Sequence, residues 1–368
     1  MVKHPAAILL GTLLFLGTVF AVIRGNLFRG DASGSGPAPA STNITKSAGK
    51  DSNHPGSAER VRRYCANPYE VTCENPTRTT TDPTGRVDLQ ISGEVRALRV
   101  LRKILTSHAD WNSKQVEDQL VTEIYTEKRV KRIESAYRWV KAQLHTVIER
   151  QDASVFSVEE KQAILSRVDR VELNLPPPAS NYADAADVFT KNSIYYERTE
   201  TGQMRLRVGG AYLLNISSWY NLVFSLAHEF SHAIDPCEMA ADAVVPTAYR
   251  ELISCFVRTG WVDGARNTCG DNEQVSEVFA DWMAAEVVSS SLGNSEKDYS
   301  GEQRVQAAVN SVRDLCEEAV SLDVLSTQNH QTPAIRIGKM FGRNPLVRKS
   351  MGCENTPAGD YCAFSPRK

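Results

Sequence analysis

Leu226-Ala227-His228-Glu229-Phe230-Ser231-His232-Ala233-Ile234 is the stretch around which the rest of the chain can be arranged. On a helix, positions four apart share a face, so His228 and His232 can grip one metal ion. Glu229 lies beside them, placed to take a proton from a metal-bound water. The apolar flanks, Leu222-Val223-Phe224 and Ala233-Ile234, predict a buried helix from about 218 to 234, stopped by Pro236. The alternative, two histidines satisfied by hydrogen bonds inside a core, leaves the glutamate between them without a task.

A catalytic zinc takes three protein ligands and keeps one position open. The next candidate is Glu277 in Ser276-Glu277-Val278-Phe279-Ala280-Asp281-Trp282, on a helix expected from about 273 to 292 and capped by Gly293. Glu277 and Asp281 are four apart and can face one site together. Glu277 suits a metal ligand. Asp281 suits the hydrogen bond that fixes a ligand histidine's tautomer. Glu273 is a rival ligand, but no acid follows it at the same interval.

Outward from these motifs, 93–170 reads as helical. Val116, Leu120, Ile124, Val130, Ile133, Tyr137, Val140, Leu144 and Val147 predict one long amphipathic helix near 113–150. Ser157 and Glu160 form a capping-box pattern, as do Ser300 and Gln303 ahead of a helix over 301–319. Strands are expected at 194–196 and 205–214, with Thr201-Gly202 at the turn between them. The last fifty residues read as irregular, punctuated by Pro and Gly.

Composition bounds the rest. The chain has 368 residues, 42% of them apolar, and its 42 basic and 44 acidic side chains leave a net charge of −2. That balance gives no pull toward nucleic acid or anionic membranes. The basic run from Lys128 to Arg132 reads as a solvated helix face. Residues 1–24 carry an apolar run from Pro5 to Ile23 and predict a signal peptide or a membrane anchor. Residues 25–60, with GDASGSGPAPAST, predict a flexible stalk. An N-terminal helical region is expected over 61–190 and a catalytic region over 191–368. All eight cysteines follow the apolar segment and no C-x-x-C pair occurs. An even set behind an export signal predicts disulfides and an extracytoplasmic location: secreted, periplasmic or at the cell surface. Asn43 and Asn215 each open a glycosylation sequon.

These residues carry a resemblance to the neprilysin family of zinc metallopeptidases, a gluzincin family. There, Asp follows H-E-x-x-H three residues later, matched by Asp235, and the third ligand sits in E-x-x-A-D, matched by Glu277 to Asp281. Cys65 and Cys73 have the spacing of the family's first two ectodomain cysteines, and Ser193-Ile194-Tyr195-Tyr196 resembles its substrate-pairing edge strand. The family's transition-state histidine and the arginine six residues on, which binds substrate carbonyl, fall on His330 and Arg336. Met351-Gly352-Cys353 and Cys362 resemble the family's C-terminal ending.

The resemblance implies a mainly α fold with a small β-sheet. It would have a zincin-like, thermolysin-like catalytic lobe, a small helical lobe, and the active site between them. It implies a Zn2+ cofactor held by His228, His232 and Glu277. Catalytic roles fall to Glu229, His330, Asp281 and Arg336, and peptide or protein is the substrate. It also implies pairing of Cys65 with Cys353 and of Cys73 with Cys316. For the other four cysteines the preferred pairs are Cys255–Cys362 and Cys237–Cys269. Three departures stand out. Gln328 replaces an Asp two residues before the histidine, and Ser193 replaces an Asn. Only about 120 residues separate Cys73 from Ser193, so most of the domain that covers the family's cleft is missing. A more open cleft follows. The departures keep two other roles in view: an inactive exported binding or scaffold protein on a peptidase fold, and a zinc amidase acting on cell-wall peptides.

Overall fold

In a computed structural model the chain is mainly helical, with a single three-stranded sheet among the described residues. Those are residues 55–74, 89–175, 191–216, 218–242, 245–270, 274–294, 299–319, 330–353 and 361–365. The expected signal or anchor, most of the expected stalk, Glu273 and Gln328 lie outside them. Among the described residues no helix is long and apolar enough to cross a membrane.

The elements run α1 Pro55–Ala66, α2 Pro68–Cys73, α3 Leu89–Ser107, α4 Ser113–Ile124, α5 Glu127–Glu149 and α6 Val158–Arg170. The sheet follows, as β1 Glu172–Asn174, β2 Ile194–Arg198 and β3 Met204–Val208. Then come α7 Gly210–Asn215, α8 Trp219–Ser231, α9 Pro236–Ala241, α10 Thr247–Arg258, α11 Val275–Asn294, α12 Gly301–Val312 and α13 Pro345–Met351. Helix α1 occupies the end of the segment expected to be stalk. Both expected capping boxes form, at Ser157/Glu160 and Ser300/Gln303.

Four sequence expectations are corrected. The long helix near 113–150 is two helices, α4 and α5, broken at Tyr125-Thr126. Arg129 Nη1 reaches back to the carbonyls of Glu123 and Ile124, both at 2.9 Å, and satisfies the end of α4. Tyr125 turns away to donate to Val208 O at 3.2 Å. The strand expected at 205–214 stops at Val208, because Gly209 passes so close to Lys191 that a Cβ there would lie 2.0 Å from its carbonyl oxygen. Residues 210–215 then wind as α7. The C-terminal region is not irregular. It holds α13 and a π-helical segment, Ala334–Phe341. Finally, Glu172–Asn174 forms a strand that pairs parallel with β3.

The sheet order is β1-β3-β2, with β2 antiparallel to β3 and at an edge. Helix α8 packs chiefly against α11, and also against α5 and α12. Helix α11 is buried nearly all round, through residues such as Val278, Phe279, Met283, Ala284 and Val287. One hydrophobic core runs from Tyr64 to Cys362.

Four disulfides close this core: Cys65–Cys353, Cys73–Cys316, Cys237–Cys269 and Cys255–Cys362. They are the four expected pairs. The first two join residues 288 and 243 positions apart, and so tie α1 and α2 to the C-terminal third. Cross-links over long loops remove the most freedom from the unfolded chain. The double substitution Cys65→Ser/Cys353→Ser is expected to lower unfolding free energy by about 2–5 kcal/mol. Urea unfolding of the oxidised variant against wild type measures this.

Candidate metal and catalytic site

Helix α8 begins at Ser218, whose side chain accepts from Asn221 N–H at 3.0 Å. It carries His228, Glu229 and His232 at its C-terminal end. The chain then tightens into a turn, His232–Ile234, and restarts as α9. Asp235 governs that restart. Its Oδ1 accepts from the N–H groups of Cys237 at 2.8 Å and Glu238 at 2.7 Å, and Pro236 fills the position where no N–H is needed. Its Oδ2 lies 3.2 Å from His232 Nδ1. One side chain therefore caps a helix and sets a histidine's orientation.

Asp281 does the equivalent for His228. Its Oδ1 lies 2.9 Å from His228 Nδ1, and Arg336 donates to both its oxygens, through Nε at 2.7 Å and Nη2 at 2.9 Å. Arg336 and Asp281 are 4% and 3% exposed, so this ion pair is shielded from water. The π-helical winding of 334–341 carries Arg336 here, with Gly342 N–H reaching Ile337 O five residues back. Gly342 packs on Pro68, where a Cβ would lie 2.4 Å from the ring, so no other residue fits.

With both Nδ1 atoms turned to carboxylates, the Nε2 atoms face inward. His228 Nε2 lies 3.2 Å from Glu277 Oε2, and His232 Nε2 lies 3.8 Å from it. His330 Nε2 is nearer still, at 2.8 Å. Donor atoms of His228, Glu277 and His330 fall within 4.8 Å of one another. Glu277 Oε2 is itself buried, and no neighbour meets it at hydrogen-bonding geometry. A buried carboxylate oxygen ringed by imidazole nitrogens is placed for a cation, and the nitrogen and carboxylate donors fit zinc. The carboxylates on the far side of two imidazoles fit the outer shell of such a site.

The electrostatics agree in direction. Burial opposes the imidazolium of His228, but hydrogen bonds to Asp281 and Glu277 outweigh it and raise its pKa well above the ordinary value. His232 is raised too, since Asp235 overcomes burial and the repulsion of His228. Burial pushes the Glu277 carboxyl up, yet His228, His330 and His232 together pull it far below the carboxylate range. Asp281 is likewise pulled down against burial, by Arg336 first and then His228.

Exposure rises across the site. The Asp281 side chain is 3% exposed, His232 15%, Glu277 20% and His330 30%, so solvent enters from the His330 side. Glu229, also half-buried, accepts from the backbone N–H of Tyr196 on β2 at 2.9 Å, which ties the site to the edge strand. Beneath that strand, Glu238 accepts from Tyr196 Oη at 3.1 Å and from Arg167 and Arg198, both at 3.0 Å. Arg167 also donates to Ala233 O at 2.6 Å. This cluster fixes the sheet to the turn after His232.

The seven sequence-predicted residues thus divide. His228, His232, Glu277 and His330 converge. Asp281 and Arg336 stand behind His228, with Arg336 Nε and Nη2 directed at Asp281. Glu229 turns toward β2. Sequence reading named Asp235 without assigning it a role, although an acid followed by Pro is itself a helix-start signal. It did not find the contact between Glu229 and Tyr196, because a backbone N–H leaves no mark in the sequence.

Two outcomes follow. Asp281→Ala leaves Arg336 buried without its carboxylate and His228 without its orienting partner. It is expected to destabilise the fold by about 3–5 kcal/mol and weaken zinc binding roughly 10–100-fold, read by urea unfolding and chelator competition. In the metal-free protein the raised histidines favour the protonated form near neutral pH. A metal must displace those protons, so affinity falls as pH drops. Calorimetry in buffers of different ionisation enthalpy should detect proton release near neutral pH.

No family model matches the chain, and no curated protein matches it. Among solved structures, it is similar to the crystal structure of PEPO from Lactobacillus rhamnosis HN001 (DR20) over 68% of this chain and 48% of that one. The TM-score is 0.48 and the identity 13%. The chain spans about half the length of that protein.

Proposed function

We propose that this chain is an exported zinc-dependent endopeptidase, with His228, His232 and Glu277 as metal ligands and Glu229 as general base. The observation that carries the reading is the convergence of imidazole Nε2 atoms on Glu277 Oε2, with the Nδ1 atoms of His228 and His232 held by Asp281 and Asp235. The four disulfides support an oxidising, extracytoplasmic location.

Bound zinc would supply a Lewis acid that acidifies water and polarises the scissile carbonyl. Glu229 accepts the proton that water loses as its oxygen bonds to the carbonyl carbon. Glu229 then delivers this proton to the leaving amine as the C–N bond breaks. The bond from Tyr196 N–H holds the Glu229 carboxylate in place for both transfers. His330, at the solvent side, donates to the oxygen on which negative charge develops. Asp281 and Asp235 keep the ligand histidines in one tautomer, and Arg336 balances the charge of Asp281. Substrate enters as a further strand on β2. Because strand residues alternate, Ile194 presents its N–H and C=O to the same side as Tyr196. The short segment between Cys73 and Ser193 suits a cleft that admits long chains and protein loops.

The test pairs two variants over a peptide library and a flexible protein loop. Glu229→Gln is expected to retain zinc while turnover falls roughly 10²–10⁴-fold. Glu277→Ala is expected to lose zinc itself. Equal turnover in Glu229→Gln would remove Glu229 as the base. A zinc-loaded wild type that cleaves neither substrate would favour a binding or scaffold role.

A further inference from the structure

Away from the catalytic cleft, α2, the π-helical segment and α13 enclose a cavity of about 520 Å³. Lys339, Arg343 and Arg348 line it, and among its described lining residues there is no acidic side chain. In a chain with 42 basic and 44 acidic residues, three cations around one hollow form a local excess that the overall balance does not predict. Like charges held together repel, and an anion between them relieves the repulsion.

The rest of the lining narrows the ligand. Arg348 Nη1 donates to Cys65 O at 3.1 Å, so one guanidinium is already positioned. The cavity falls in the usual size range for small-molecule sites, roughly 300–1,000 Å³, and a bare inorganic ion would fill a small part of it. Pro68, Tyr69 and Ala334 supply apolar and aromatic wall for an organic body. Guanidinium groups match the paired oxygens of a phosphate, and an ammonium adds a point charge.

We propose that this cavity is a binding site for an organic phosphate, with Lys339, Arg343 and Arg348 taking the phosphate group and Tyr69 contacting the organic part. The same chemistry is offered by a free phosphate ester and by an anionic lipid headgroup. The site is separate from the metal ligands, and it does not depend on the peptidase reading.

The experiment is calorimetric titration of the full chain with glycerol 3-phosphate, with soluble dihexanoyl phosphatidic acid, and with glycerol as control. Saturable binding is expected for at least one phosphate and none for glycerol. Tighter binding of the phosphatidic acid assigns a lipid source. Equal or tighter binding of glycerol 3-phosphate assigns a free ester. Two variants test the location. Lys339→Gln/Arg343→Gln removes charge and is expected to weaken binding tenfold or more. Gly338→Leu fills the hollow with no change of charge, and its Cβ would meet Tyr69 Cβ at an ordinary 3.5 Å, so it should fold and bind at least tenfold more weakly. No saturable binding of either phosphate to wild type up to roughly 10 mM, where specific affinity fades, overturns the proposal. So does binding that survives unchanged in whichever variants keep the wild-type circular dichroism spectrum.

Discussion

The site rests on one carboxylate. Asp281 is 3% exposed and is shared between His228 and Arg336. A lone buried carboxylate would take up a proton, because desolvation disfavours its charge. Here the guanidinium binds through two donors and the imidazole through a third, and the carboxyl stays ionised. Three separate elements must meet for this to happen: α11 supplies Asp281, α8 supplies His228, and the π-helical segment supplies Arg336. The burial of α11 on nearly every side holds the carboxylate still. Removing any one element would expose or unpair the others, so the packing of the core and the orientation of the histidine are one problem with one solution.

The second carboxylate, Asp235, solves the same problem by local means. It orients His232 from three residues away while capping α9. One ligand is thus held through long-range packing and the other through a turn. The site joins a rigid centre to a less buried rim, and exposure climbs from Asp281 to His330. Chemistry needs both. The inner residues keep a fixed geometry in a low-dielectric setting, and the outer ones must meet a substrate.

What the sequence disclosed depended on the range of the signal. The four-residue intervals His228–His232 and Glu277–Asp281 were readable because helix geometry converts spacing directly into a shared face. Capping boxes at Ser157 and Ser300 were readable for the same reason. The break at Tyr125-Thr126 was not, since apolar residues recur at helical intervals on both sides and Thr126 makes no side-chain capping bond. Residues 210–215 read as strand because Ala211 to Leu214 is a short apolar run, which fits either state. The π-helical winding has no periodic signature at eight residues. The strand Glu172–Asn174 is three residues long, and a partner more than thirty positions away defines it. Two disulfide pairs came from family resemblance. Spacing alone permits many pairings.

The disulfide connectivity has a consequence for how the molecule is made. Cys65 and Cys73 leave the ribosome long before Cys353 and Cys316. At 5–20 residues per second, the 288 positions between Cys65 and Cys353 correspond to roughly 15–60 s of synthesis. Throughout that interval both early thiols are present beside Cys237, Cys255 and Cys269 as these appear, with their own partners still unmade. Correct pairing must therefore wait for the last fifth of the chain, or be reached by exchange from earlier mispairings. A nascent chain cut short before Cys316 would carry two permanently unmatched cysteines at its start, a chemical mark by which a thiol-scanning chaperone could tell an incomplete chain from a finished one.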